Sequence, residues 1–85
     1  SRAMRISARS DDPHFFGVEN YGRYAFKVNG RDVSKVVWAD TDAGALCYMP
    51  TNDRGQVMRD ERRPGYAVEI IVRGTVEIID KRALA

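Results

Sequence analysis

The chain has 85 residues, 44% hydrophobic and 31% charged, with a formal net charge of +2 and a single cysteine, Cys47. One small domain with a modest core is expected from that length. Ordinary apolar content with charges of both signs reads as globular rather than disordered, and the lone cysteine excludes an intrachain disulfide scaffold. No apolar run reaches the roughly 18–20 residues of a membrane-spanning helix, and the reading is of a soluble, intracellular protein.

Ser1-Arg2-Ala3 ahead of Met4 reads as a cloning remnant, with the domain expected over residues 4–85. Arg5-Ile6-Ser7-Ala8-Arg9 is a candidate first strand. Asp12-Pro13-His14-Phe15-Phe16 places a capping residue before a proline, so one short helical turn is predicted near residues 12–17.

From residue 23 onward, turn signals recur about every ten residues, which predicts an antiparallel β meander. Asn29-Gly30 joins Tyr24–Val28 to Arg31–Val33, and a type I′ turn is expected because both central residues must tolerate positive φ. A two-residue loop sets Val28 against Arg31, Lys27 against Asp32 and Phe26 against Val33. A second hairpin is expected from Val36–Ala39 through Asp40–Gly44 to Ala45–Met49, with Trp38 opposite Tyr48 and Val37 opposite Met49. Thr51–Gly55 turns the chain into a predicted short strand, Gln56–Arg59, and Asp60–Gly65 follows as a charged loop. Tyr66–Asp80 is read as one long strand bent at Gly74, with halves able to serve different sheets. That reading puts Val68, Ile70, Val72, Val76 and Ile78 on one side. The predicted class is mainly β: five to six strands in a small sandwich or open barrel.

Catalytic chemistry is sparse. Asp40-Thr41-Asp42 begins like a calcium loop, but the sixth position is Ala45 where Gly is required and the twelfth is Thr51 where Glu is required. A turn is the reading there, and no metal or cofactor is expected. His14 with Asp11 and Asp12 lacks a convergent ligand set. Cys47 lies on an apparent strand between Leu46 and Tyr48, which favours a buried thiol over a nucleophile. There is no nucleophile elbow, phosphate-binding loop or dinucleotide fingerprint, so no enzyme is expected.

These registers place Tyr24, Phe26, Val33, Val37, Cys47, Met49 and Met58 on a core face. Lys27, Ser34, Val36, Trp38, Leu46, Tyr48 and Arg59 fall on the other. Trp38 beside Tyr48, with Lys27 and Arg59 near, is the candidate partner-binding patch. Its aromatic–basic character suits a protein partner or single-stranded nucleic acid; the competing reading is a second core layer.

The run Phe26–Val33, then Val37–Gly44, then Asp53-Arg54-Gly55, with Gly74–Ile78 as a β-rich tail, resembles small proteins encoded by tailed bacteriophages and prophages. The resemblance spans roughly residues 23–79 and consists of turn positions; it transfers no catalytic residue. It implies a phage or prophage accessory protein in the bacterial host cytoplasm or in the virion. Such a protein would act through contact with a phage or host protein, and a homo-oligomer is compatible with it. A small nucleic-acid-binding β-barrel is the alternative.

Overall fold

The computed structural model describes residues 4–9, 11–12 and 22–84. Among them are seven strands: β1 (Arg5–Ser7), β2 (Tyr24–Val28), β3 (Arg31–Val33), β4 (Val36–Asp40), β5 (Ala45–Tyr48), β6 (Ile70–Arg73) and β7 (Val76–Asp80). A 3₁₀ turn, Lys81–Leu84, follows. The strands form two antiparallel sheets, one ordered β1-β4-β5-β6 and one ordered β3-β2-β7. The mainly β class therefore holds, as an open pair of sheets and not a closed barrel. It is only partly a meander, because β1 pairs with β4 and β7 with β2. The predicted helical turn near residues 12–17, and His14 with it, lies outside the described residues apart from Asp12.

The β2–β3 hairpin has the predicted register, Phe26 with Val33, Lys27 with Asp32 and Val28 with Arg31. Asn29 and Gly30 take φ of 52° and 81°, as a type I′ turn requires.

The β4–β5 hairpin differs from expectation. Trp38 pairs with Cys47, and Val36, not Trp38, pairs with Tyr48. The turn is one residue shorter than the sequence implied. Asp40 pairs with Ala45 as a strand residue, and its Oδ1 accepts the amides of Asp42 (3.0 Å) and Ala43 (2.9 Å). A β-bulge between Val36 and Trp38 then shifts the register again.

That bulge and one sheet crossing correct the predicted core face. The chain passes from the three-stranded to the four-stranded sheet at Ser34-Lys35, so the inward side of β4 and β5 is not the side alternation alone implied. The shared core takes Ile6, Val36, Ala39 and Leu46 from one sheet and Tyr24, Phe26, Val28 and Val76 from the other. Tyr48, Val72 and Ile78 pack against it. Val37 and Cys47 are buried too. Cys47 lies on the outer side of its sheet, because it neighbours inward-facing Leu46 and Tyr48 on β5.

The predicted strand Gln56–Arg59 is reduced to two isolated bridges, Thr51 with Val57 and Arg59 with Ala67. The turn before it forms as expected, organised by Asn52, whose Oδ1 accepts the amides of Arg54 (2.9 Å) and Gln56 (3.1 Å). Met58, assigned to the core from sequence, is 39% exposed. The excursion leaves both sheets, so no described layer faces it.

Residues 70–80 split at Gly74, with β6 in one sheet and β7 in the other. Val72, Val76 and Ile78 reach the core, whereas Ile70 remains exposed at a sheet edge.

Candidate functional site

The four residues of the predicted patch do not come together. Trp38 pairs with Cys47 while Tyr48 is the next residue along β5, so Trp38 and Tyr48 point to opposite faces. Tyr48 faces the core and Trp38 the outer side of the four-stranded sheet. Lys27 belongs to the other sheet, in register with Asp32 on one side and Glu77 on the other. Arg59 is exposed on the excursion between β5 and β6.

The cation beside Trp38 is Arg5, whose guanidinium lies 4.8 Å from the ring centroid. Arg5 also meets Asp12 at 2.7 Å and Asp40 at 3.4 Å. Two carboxylates offset its charge, so this contact clamps β1 to β4 and leaves little field for a phosphate. The sequence signal for it was the opposite charge of Arg5 and Asp40, legible only once β1 is known to pair with β4.

Cys47, Asp40 and Asp80 have structural partners. Burial pushes the Cys47 thiol up, and the charge of Glu69 adds to that. The thiol stays protonated and donates to Glu69, which also receives Arg9. Among the described residues, no three His, Cys, Asp or Glu side chains are grouped as metal ligands. Hydrogen bonds from Ala43 and Asp42, then the Arg5 guanidinium, hold the Asp40 carboxyl below the usual range. Arg23 does the same for Asp80. A carboxyl with a depressed folded value adds stability above its unfolded value and loses it as pH falls through the folded one. Urea unfolding is therefore expected to show stability held down to about pH 4 and falling below it, with a shallower fall in Asp40→Asn. An identical acid limb in that variant contradicts the assignment.

Among the described residues, the free edge of β6 is a candidate binding feature. In antiparallel strands the hydrogen-bonding direction alternates from residue to residue. Gly74 donates to the Gly44 carbonyl (2.9 Å) and Val68 to the Met58 carbonyl (2.8 Å), both toward the β5 side. Positions 68, 70, 72 and 74 therefore face inward along the sheet. Ala67, Glu69, Ile71 and Arg73 turn their N–H and C=O groups outward, and no described strand lies beyond β6. Ile70 and Ile71 on this edge are 39% and 55% exposed. Val57, Met58 and Tyr66 are exposed on the adjoining excursion. Such an edge can add an extended strand from another chain, with backbone hydrogen bonds for affinity and apolar side chains for burial. Sequence reasoning missed it as a site because placing Val68, Ile70, Val72, Val76 and Ile78 on one side of a strand bent at Gly74 does not say which strand ends its sheet.

Comparison with protein-family models, curated proteins and solved structures finds no match.

Proposed function

We propose that this chain is a non-catalytic accessory protein of a phage or prophage that works by binding protein, as a virion or assembly component or as an inhibitor of a host factor. The observation that carries the binding role is the open β6 edge, with outward backbone groups from Ala67 to Arg73 and exposed Ile70 and Ile71. The phage origin rests on the pattern of turns in residues 23–79. The described titratable groups support a non-catalytic reading, since Cys47 and Asp40 are held by structural partners.

The aromatic–basic nucleic-acid site required Trp38 and Tyr48 side by side, and the β4–β5 register separates them. The test uses affinity purification from phage-infected cells and an oligonucleotide titration. A protein retained by the wild type and lost in Ile71→Lys is the expected result, with no salt-sensitive oligonucleotide binding. If bases stacked on Trp38, its replacement by Ala would weaken binding by about 1–3 kcal/mol and affinity would fall steeply with salt. Salt-dependent binding of that kind, lost in a Trp38→Ala variant that folds normally, overturns the proposal.

A further inference from the structure

We propose that the open β6 edge is closed by the same edge of a second copy, in a two-fold dimer whose antiparallel β6 strands are centred on Ile71. The inference deepens the reading above, on which it rests, by naming the occupant of that edge.

A two-fold axis between antiparallel strands pairs residues whose numbers have a constant sum. Centred on Ile71, it sets Ile71 against Ile71 of the second copy and Glu69 against its Arg73, twice. These are also the positions whose backbone groups point outward. The two Ile71 residues, and each Glu69–Arg73 pair, can exchange both N–H···O=C bonds as hydrogen-bonded pairs of one continuous ladder.

The side chains agree with the same register. Glu69, Ile71 and Arg73 share the outer face, because Ile71 pairs with Cys47. Directly opposite residues have neighbouring Cβ atoms, so each Glu69 meets an Arg73 and the two exposed Ile71 side chains cover one another. Arg73 makes no ion pair among the described residues and is exposed. Oε1 of Glu69 receives Arg9 and the Cys47 thiol on that outer face, and neither contact engages its Oε2. On the inner face, Ile70 meets Val72 of the second copy. A groove of about 720 Å³, lined by Val28, Tyr48, Pro50 and Val72 among others, opens on that inner side.

Charge also selects against the neighbouring arrangements. Shifting the centre by two residues sets Glu69 against Glu69 or Arg73 against Arg73. Parallel in-register pairing stacks like charges along the edge. The charges flanking Ile70-Ile71-Val72 therefore act as a register device, and the isologous contact stops at two copies because each edge is used once.

The experiment is sedimentation equilibrium of the full chain over a wide concentration range. The wild type is expected to fit a monomer–dimer equilibrium. Ile71→Pro is expected to be monomeric with unchanged circular dichroism, because its N–H takes no bond within the sheet and proline is tolerated at such edge positions. Ile71→Lys keeps the N–H and is expected to be monomeric too, so a failure of the proline variant to fold does not blunt the test. Arg73→Glu is expected to weaken the dimer roughly tenfold or more, and Glu69→Arg with Arg73→Glu to restore it, since opposite charges then face again. A wild type that stays monomeric, a dimer that survives Ile71→Lys, or a double variant no tighter than Arg73→Glu overturns the inference. A monomeric wild type that still retains a cellular protein through Ile71 refutes the dimer and leaves the protein-binding reading standing. A dimer with the expected variant pattern and no retained protein does the reverse.

Discussion

Leu46→Ala is expected to lower the unfolding free energy by about 2–5 kcal/mol. Leu46 has no exposed surface and sits mid-sheet, with Ala39 on one neighbouring strand and Val72 on the other. Truncation there leaves a cavity at the layer where the two sheets meet, and Ala39 is too small to fill it. A domain of this length has roughly 4–13 kcal/mol of total stability, so the variant approaches the unfolding threshold at physiological temperature. Urea unfolding checks it: the midpoint should fall with the slope unchanged. Val57→Ala is the control. Val57 is 43% exposed, and its truncation is expected to stay within about 0.5 kcal/mol. Equal losses in the two variants would mean that the core does not lie between the sheets.

Gly74→Ala is expected to cost about 2–4 kcal/mol, from backbone strain and a displaced hydrogen bond together. Gly74 sits where the chain changes sheets, with φ of 156°. An added Cβ would lie 2.5 Å from Asn29 Oδ1 and 2.8 Å from its Cγ. Asn29 cannot swing away freely. Its Oδ1 accepts the Thr75 amide at 2.9 Å, and its own amide donates to the Thr75 carbonyl at 2.9 Å. The first hairpin turn is thereby tied to the β6–β7 crossing, and one methyl group disturbs both. Gly55→Ala separates the two causes. Its φ of 76° is also positive, but nothing lies within 4 Å of an added Cβ, so only about 1–2 kcal/mol is expected. Matching losses at Gly55 and Gly74 would show that the contact with Asn29 is irrelevant.

Local chemistry explains which parts of the fold were legible. Asn29-Gly30 dictated both a turn type and a register, because a two-residue loop leaves its strands no freedom to slip. The break at Gly74 was legible too, since a hairpin there would have mixed apolar and charged residues on both faces. The bulge within Val36-Val37-Trp38 carries no such punctuation. A run of β-formers reads the same with or without an extra residue, and that one residue sets Val36 opposite Tyr48. The shorter turn, in which Asp40 already pairs with Ala45, sets Trp38 opposite Cys47 and away from Tyr48. The predicted Trp38, Tyr48, Lys27 and Arg59 patch failed to assemble for this reason, together with the sheet crossing at Ser34-Lys35.

The sequence by itself determined the β class, the three hairpin turns and the lack of a recognisable catalytic motif, because these depend on residues within a few positions of one another. Only the tertiary structure decided which strands share a sheet, which face each presents to the core, and which edge stays open. Those outcomes depend on contacts between distant segments: β1 on β4, β7 on β2, and Asn29 on Thr75. Ile70 and Ile71 have the composition of core residues. They lie at the surface because β6 is the last described strand of its sheet, a property of strand order that no local pattern encodes.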